Sequence, residues 1–258
     1  MSAGRKATTK PAATKRGGSS RATDPVPSDG SRTRGGWEPV GTAERRRAVY
    51  GTGIGQRGRK ARAELVKAAR VVFERDGYAN ARIEDIVKEA QCARGSFYTY
   101  FPSKLEVFQH IATEVAQDIY KSVSGMFSPD QSGVDPATAI DTANRNWVET
   151  YSRNREFLGL LEQVSTIDPQ VHAARLEGRL RQVARIAAII ERWQKEGLAD
   201  PSIDARTTAG ALQAMQSNFC YWWMVGGDPY DHDAAIETMN SVWTRAIGIA
   251  PAPPAAAV

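Results

Sequence analysis

From Arg59 almost to the C-terminus, apolar side chains recur every three or four residues, and the strict alternation of a half-buried strand is missing. That periodicity is the signature of amphipathic helices and predicts an all-α fold. Leu65, Ala68, Ala69, Val72 and Phe73 share one stripe, which predicts a first helix over about 59–76, ended by Gly77. Ile83, Ile86, Val87 and Ala90 mark a short second helix, and Gln91-Cys92 a tight turn into a third over about 93–100. Pro102 disfavours helical geometry at Phe101 and stops that third helix. Ser103, with Glu106 three residues on, is a capping-box pattern that opens a fourth helix carrying Phe108, Ile111 and Val115.

In the second half, Asp-Pro pairs stand at 135–136, 168–169, 200–201 and 228–229. Asp accepts from the free N–H groups of a helix start and Pro suits the first helical position. With each pair at or near a start, helices are predicted over about 136–152, 155–166, 169–196, 202–225 and 233–248. Leu176, Leu180, Val183, Ile186, Ile190 and Trp193 form one apolar face, and Ile236, Met239, Trp243 and Ile247 another. Gly197 stands where a helix C-terminus favours a left-handed residue.

Residues 1–58 differ in kind, being poor in large apolar residues and rich in Gly, Ser, Thr, Pro and Arg. Such a segment cannot offset its ordering entropy by burial, so a disordered arm is expected, with a second disordered tail at 251–258. Charge sharpens the division. Residues 1–62 hold 15 Lys/Arg against 4 Asp/Glu, whereas the remainder holds 19 against 25. This asymmetry points to a polyanion-binding arm on a folded body. No run approaches the roughly 18 uncharged apolar residues of a membrane helix. The first 23 residues have neither an apolar core nor an amphipathic stripe, which argues against a secretory or transit signal. Cys92 and Cys220 lie far apart within helical patterns, so buried, reduced thiols and a cytoplasmic location are expected.

Two short helices joined by a tight turn are a helix-turn-helix, here about 82–101. The segment 94–101 is too short and too polar for a core helix. Phe97 and Phe101 can face inward while Arg94, Ser96, Tyr98, Thr99 and Tyr100 offer donors to phosphates and base edges. Arg59, Lys60 and Arg62 on the first helix are placed to reach flanking backbone. Lys104, beside the N-terminus of the fourth helix, is a further phosphate candidate.

Residues 59–119 resemble the DNA-binding domain of the TetR family of bacterial regulators. The resemblance rests on Asp76-Gly77-Tyr78, Asp85-Ile86, Gly95, Tyr98 and Phe101-Pro102-Ser103-Lys104, in that order and spacing. Two departures stand out. Ala81 replaces the usual Thr or Ser before the second helix, leaving Arg82 to supply a phosphate contact. Gln91 replaces the usual turn Gly, where a left-handed backbone costs about 1–2 kcal/mol. The resemblance implies that residues 120–250 form a helical effector-binding and dimerisation domain. Its last two helices would pair into a four-helix interface, giving a homodimer on double-stranded DNA, with repression relieved by a small effector. Phe108, Ile111, Trp147, Tyr151, Val183, Phe219 and Trp222 are the candidate effector contacts, for an apolar or amphipathic molecule. Core or dimer packing is the favoured alternative for the same aromatic residues.

The rival class is an enzyme. Gly53-Ile54-Gly55-Gln56-Arg57-Gly58 spells the dinucleotide fingerprint of nicotinamide and flavin enzymes. Its context is poor, because only Ala48-Val49-Tyr50 could form the preceding strand. His110, His172 and His232 are scattered, with no metal-ligand spacing. No cofactor, metal or catalytic residue is expected.

Overall fold

The structure, a computed structural model, describes residues 55–127 and 134–249. Among these residues the fold is all-α. The helices are α1 (Gln56–Asn80), α2 (Ile83–Glu89), α3 (Arg94–Tyr100), α4 (Lys104–Val123), α5 (Pro136–Ile167), α6 (Pro169–Lys195), α7 (Ala205–Met224) and α8 (His232–Ile247), with a 3-10 turn at Ser124–Phe127. The expected arm up to Ile54, and the expected tail from Pro251, lie outside the described residues. At the junction the expectation is corrected. Gly55 is the N-cap of α1, and Gln56, Arg57 and Gly58 already belong to its first turn.

The stripe on α1 buries Leu65, Val66, Ala68, Ala69, Val72 and Phe73. Gly77 interrupts the helix at φ 76°, a conformation that costs glycine least, and one short turn follows it. Gln91 takes φ 51°, the left-handed turn foreseen between α2 and α3. Phe101 is extended, as the following proline requires. Ser103 Oγ accepts from the Glu106 N–H at 3.2 Å and caps α4.

Asp135 and Asp168 cap α5 and α6 as their sequence context suggests. The other two Asp-Pro pairs precede their helices by several residues. Gln194 Nε2 donates to the carbonyls of Asp200 and Ile203, and the Asp200 N–H donates to the Ile247 carbonyl. These bonds pin the 200–203 segment against the ends of α6 and α8, so α7 starts only after Asp204, which caps it. Asp231, not Asp228, caps α8. The break expected near residues 152–155 is absent: Ser152-Arg153-Asn154-Arg155 contains no Gly or Pro, and α5 runs through it. At Gly197, φ 73° and a bond from the Leu198 N–H to the Trp193 carbonyl close α6.

The long α5 serves three packed clusters. Phe157 and Val164 complete the core of α1–α4, where Phe73, Ile86, Phe97, Phe101, Phe108 and Ile111 are sealed. Trp147, Val148 and Tyr151 pack with Cys220, Ile236 and Met239. Ala139, Ile140 and Ala143 meet Ile190, Ala209, Trp243 and Ile247. One rigid element thus touches both the helix-turn-helix core and the upper bundle.

Candidate DNA-reading surface and interior cavity

Helices α2 and α3 form the helix-turn-helix, with Phe97 and Phe101 fully buried beneath it. Burying those two rings fixes which face of α3 points outward. Arg94, Tyr98 and Thr99 are exposed there, with Ser96 half-buried beside them. The Arg94 guanidinium lies 2.7 Å from Glu84 and 6.0 Å from the Tyr98 ring centre. Both partners of that ion pair are more than half exposed, so it contributes little and can open to an incoming phosphate or base. Arg82 is exposed at the N-cap of α2, whereas Ala81 is buried, so a methyl group occupies the place of the missing hydroxyl. Arg59 and Lys60 are exposed on the first turns of α1.

Three expected DNA contacts are placed differently. The Lys104 ammonium donates to the carbonyls of Tyr78 at 2.7 Å, Ala81 at 2.9 Å and Ala79 at 3.4 Å, and lies 4.6 Å from the Tyr78 ring centre. It stitches α4 to the end of α1, where carbonyls lack helical partners. Burial holds its pKa below the usual lysine value. Arg62 also turns inward, 3.0 Å from His110 Nε2 and 4.8 Å from the centre of the Phe101 ring. Glu114 Oε1 lies 3.2 Å from the same His110 Nε2, and the hydrogen bond with His110 lowers the carboxyl's pKa. Tyr100 is half-buried against the lower core. For Lys104 and Arg62 the reason is the same: their inward partners come from distant parts of the chain.

The expected effector contacts divide in the same way. Phe108 and Ile111 are sealed in the lower core, with Phe108 between the rings of Phe73 (5.4 Å), Tyr78 (4.8 Å) and Phe157 (5.0 Å). Val183 and Tyr151 are buried, Phe219 stacks on Tyr230 at 5.2 Å, and Trp222 is 53 % exposed on the outside of the bundle. Of the seven, Trp147 alone lines the small interior cavity, of about 20 Å³. Asn144, Gln182, Gln216 and Trp243, none of them foreseen, line it too. Asn144 and Gln216 could have been noticed as amides standing on otherwise apolar helical faces. Gln216 Nε2 donates to Asn144 Oδ1 (2.8 Å), Asn144 Nδ2 to Asn240 Oδ1 (2.8 Å), and Asn240 Nδ2 to Asp141 Oδ1 (2.5 Å). This chain of bonds ties α7, α5 and α8 together beside the cavity.

An open cleft of about 690 Å³ lies between α5 and the α7–α8 connection, but Arg145 and Arg153 on its wall are already paired with Asp141 and Glu149. Burial pushes the Cys220 thiol up to about 12, which keeps it protonated and unreactive. Among the described residues no cluster of three His, Cys, Asp or Glu could hold a metal ion, and no helix is long and apolar enough to cross a membrane. Gln56–Gly58, the end of the glycine-rich fingerprint, is helical, and its candidate strand at 48–50 lies outside the described residues.

Comparison with known proteins bears on the same region. The family model of the bacterial regulatory proteins of the tetR family matches residues 65–111. YfiR of Bacillus subtilis, described as an HTH-type transcriptional regulator, is 28% identical over 118 residues, covering 40% of this chain and 58% of YfiR. The match therefore spans about three fifths of that relative's length. FasR of Mycolicibacterium smegmatis, described as an HTH-type transcriptional activator, is 24% identical over 78% of this chain and 92% of FasR. Among solved structures, a TetR-like regulator from a Rhodococcus species superposes with a TM-score of 0.58 at 19% identity, covering 73% of this chain and 96% of its own. GusR of Salmonella enterica superposes with a TM-score of 0.62 at 18% identity, covering 73% and 96%. These likenesses carry the fold, and over residues 65–111 the helix-turn-helix matches that of the tetR family of bacterial regulatory proteins.

Proposed function

We propose that this protein is a homodimeric repressor that grips a roughly palindromic DNA site through α3 and is released by a small effector bound among α5–α8. Residues 59–119 serve as the DNA-binding domain and 120–250 as the effector-binding and dimerisation domain, in the cytoplasm where its DNA lies. The observation that carries this reading is α3 itself. Its aromatic anchors are buried and its outer face offers a guanidinium, hydroxyls and a tyrosine, a surface suited to a groove. Arg59, Lys60 and Arg82 flank it as phosphate contacts. Mapping the protein's chromosomal sites in its own cells, then footprinting one of them with purified protein, tests the reading. Protection of a single palindrome is expected, and binding indifferent to sequence would overturn it. FasR's description as an activator favours a second reading, in which binding recruits transcription. A reporter downstream of the mapped site separates the two by the sign of its response.

Arg94→Ala is expected to weaken operator binding about tenfold while changing binding to random DNA far less, because a bidentate arginine–guanine pair discriminates among bases. Equal losses on both DNAs would make Arg94 a phosphate contact only. Deleting residues 1–54, which stops short of the Gly55 cap of α1, removes most of the excess positive charge. Each phosphate that the arm no longer neutralises should flatten the log-log salt slope by about 0.9. Affinity should fall and the preferred bases stay the same. An unchanged salt slope would leave the arm no role on DNA, and a changed preference would mean that it reads sequence.

A further inference from the structure

Two indole N–H groups in the upper bundle have no hydrogen-bond partner, Trp147 Nε1 on α5 and Trp243 Nε1 on α8. Each tryptophan is only 4 % exposed. A buried donor left unpaired is costly, and native structures pair nearly all of them. The Trp147 N–H is directed at the Cys220 sulfur, a weak acceptor. Both indoles line the same cavity. Its remaining polar walls are the amides of Asn144, Gln182 and Gln216, and no charged side chain borders it. Asn144 and Gln216 already bond one another, and Asn144 bonds Asn240 as well. The fully buried donors left over in the cavity are therefore the two indoles, beside the half-buried amide of Gln182 and among the aliphatic walls Val123, Ile140 and Ile186.

We propose that the paired Trp147 and Trp243 indoles recognise an uncharged acceptor oxygen, a ketone, lactone, ester or ether, on an otherwise apolar ligand. A carboxylate would enter with no cation to offset its desolvation, and a pure hydrocarbon would leave both donors unpaired. A volume of about 20 Å³ admits one oxygen-sized guest. The ligand's apolar body must then push the aliphatic walls aside. Val123 is the last residue of α4, whose first residue, Lys104, holds the end of α1, so that displacement acts on the helix-turn-helix unit. The proposal rests on reading α5–α8 as the effector-binding part, and it adds the ligand's chemistry.

The test uses the full-length protein labelled with ¹⁵N at the indoles, and three probes of one shape: cyclohexanone, methylenecyclohexane and cyclohexanecarboxylate. Cyclohexanone is expected to shift the Trp147 and Trp243 indole signals saturably. The hydrocarbon should bind at least tenfold more weakly, and the carboxylate should leave both signals in place. Trp243→Phe, and separately Trp147→Phe, should weaken ketone binding at least fivefold while leaving hydrocarbon binding unchanged, a contrast that misfolding would not produce. A hydrocarbon or carboxylate that matches the ketone overturns the proposal. So do indole signals that no probe moves and that exchange only with a resident water, since the cavity would then be a structural water site. Operator binding is measured alongside. Saturable ketone binding without any change in DNA affinity would uphold the recognition chemistry and overturn the effector reading of the upper helices.

Discussion

Phe108→Ala is expected to lower unfolding stability by about 3–5 kcal/mol, as read from denaturant titration of the full chain. Phe108 is fully buried and is ringed by Phe73 and Tyr78 of α1 and Phe157 of α5. Truncation removes the transfer energy of an aromatic side chain and leaves a void that three separate elements would have to close together. Collapse is difficult there, because α1 is held by the Lys104 ammonium and α5 is anchored in two further clusters. Phe108→Leu keeps most of the volume and should cost less than half as much. A loss below about 1 kcal/mol for the alanine variant would mean that the site relaxes freely, and that the aromatic cluster does not join α5 rigidly to the helix-turn-helix.

Where the sequence was informative, the information was local. Gly77, Gln91, Pro102 and Ser103 each set a backbone conformation from their own chemistry, and the boundaries of the helix-turn-helix follow from them within a few residues. The inward facing of Phe97 and Phe101 was legible because helical periodicity alone places them. What local reading missed is partners far apart in the chain. Lys104 reads as a phosphate contact until α1 and α4 meet and supply carbonyls for its ammonium. Arg62 reads as a DNA contact until His110 and Phe101 arrive from α4 and the end of α3. The aromatic residues of α7 read as core or dimer packing or as pocket lining; Trp222 faces outward, and Trp243 of α8 lines the cavity. Two residues on one helix seldom reveal which face meets a neighbour when both faces carry apolar residues.

The outward placement of Trp222 leads to the second large expected effect, which concerns the proposed dimer. On α7, Ala211, Met215, Asn218 and Trp222 form one uncharged row at alternating spacings of four and three, fully or partly exposed in the single chain. On α8, Ala234, Thr238, Val242 and Ala246 form an exposed row with a spacing of four, again without charge. Rows of this kind are the ridges that interlock when helices pack, and an interface core is depleted in charge and centred on residues such as tryptophan. If these rows meet their copies across a two-fold axis, Trp222→Arg with Val242→Arg places four unpartnered cations in the interface. Uncompensated charges in such a site cost several kcal/mol. Light scattering is expected to show a monomer at micromolar concentration, and affinity for the full palindrome should drop at least a hundredfold. Binding to an isolated half-site should be unchanged, because α3 lies outside the altered rows. The melting temperature should move little beyond what loss of the partner accounts for, since both side chains are exposed in the single chain. A double variant that remains dimeric would place the interface on other helices, and one that loses half-site binding as well would show that the damage reaches the helix-turn-helix.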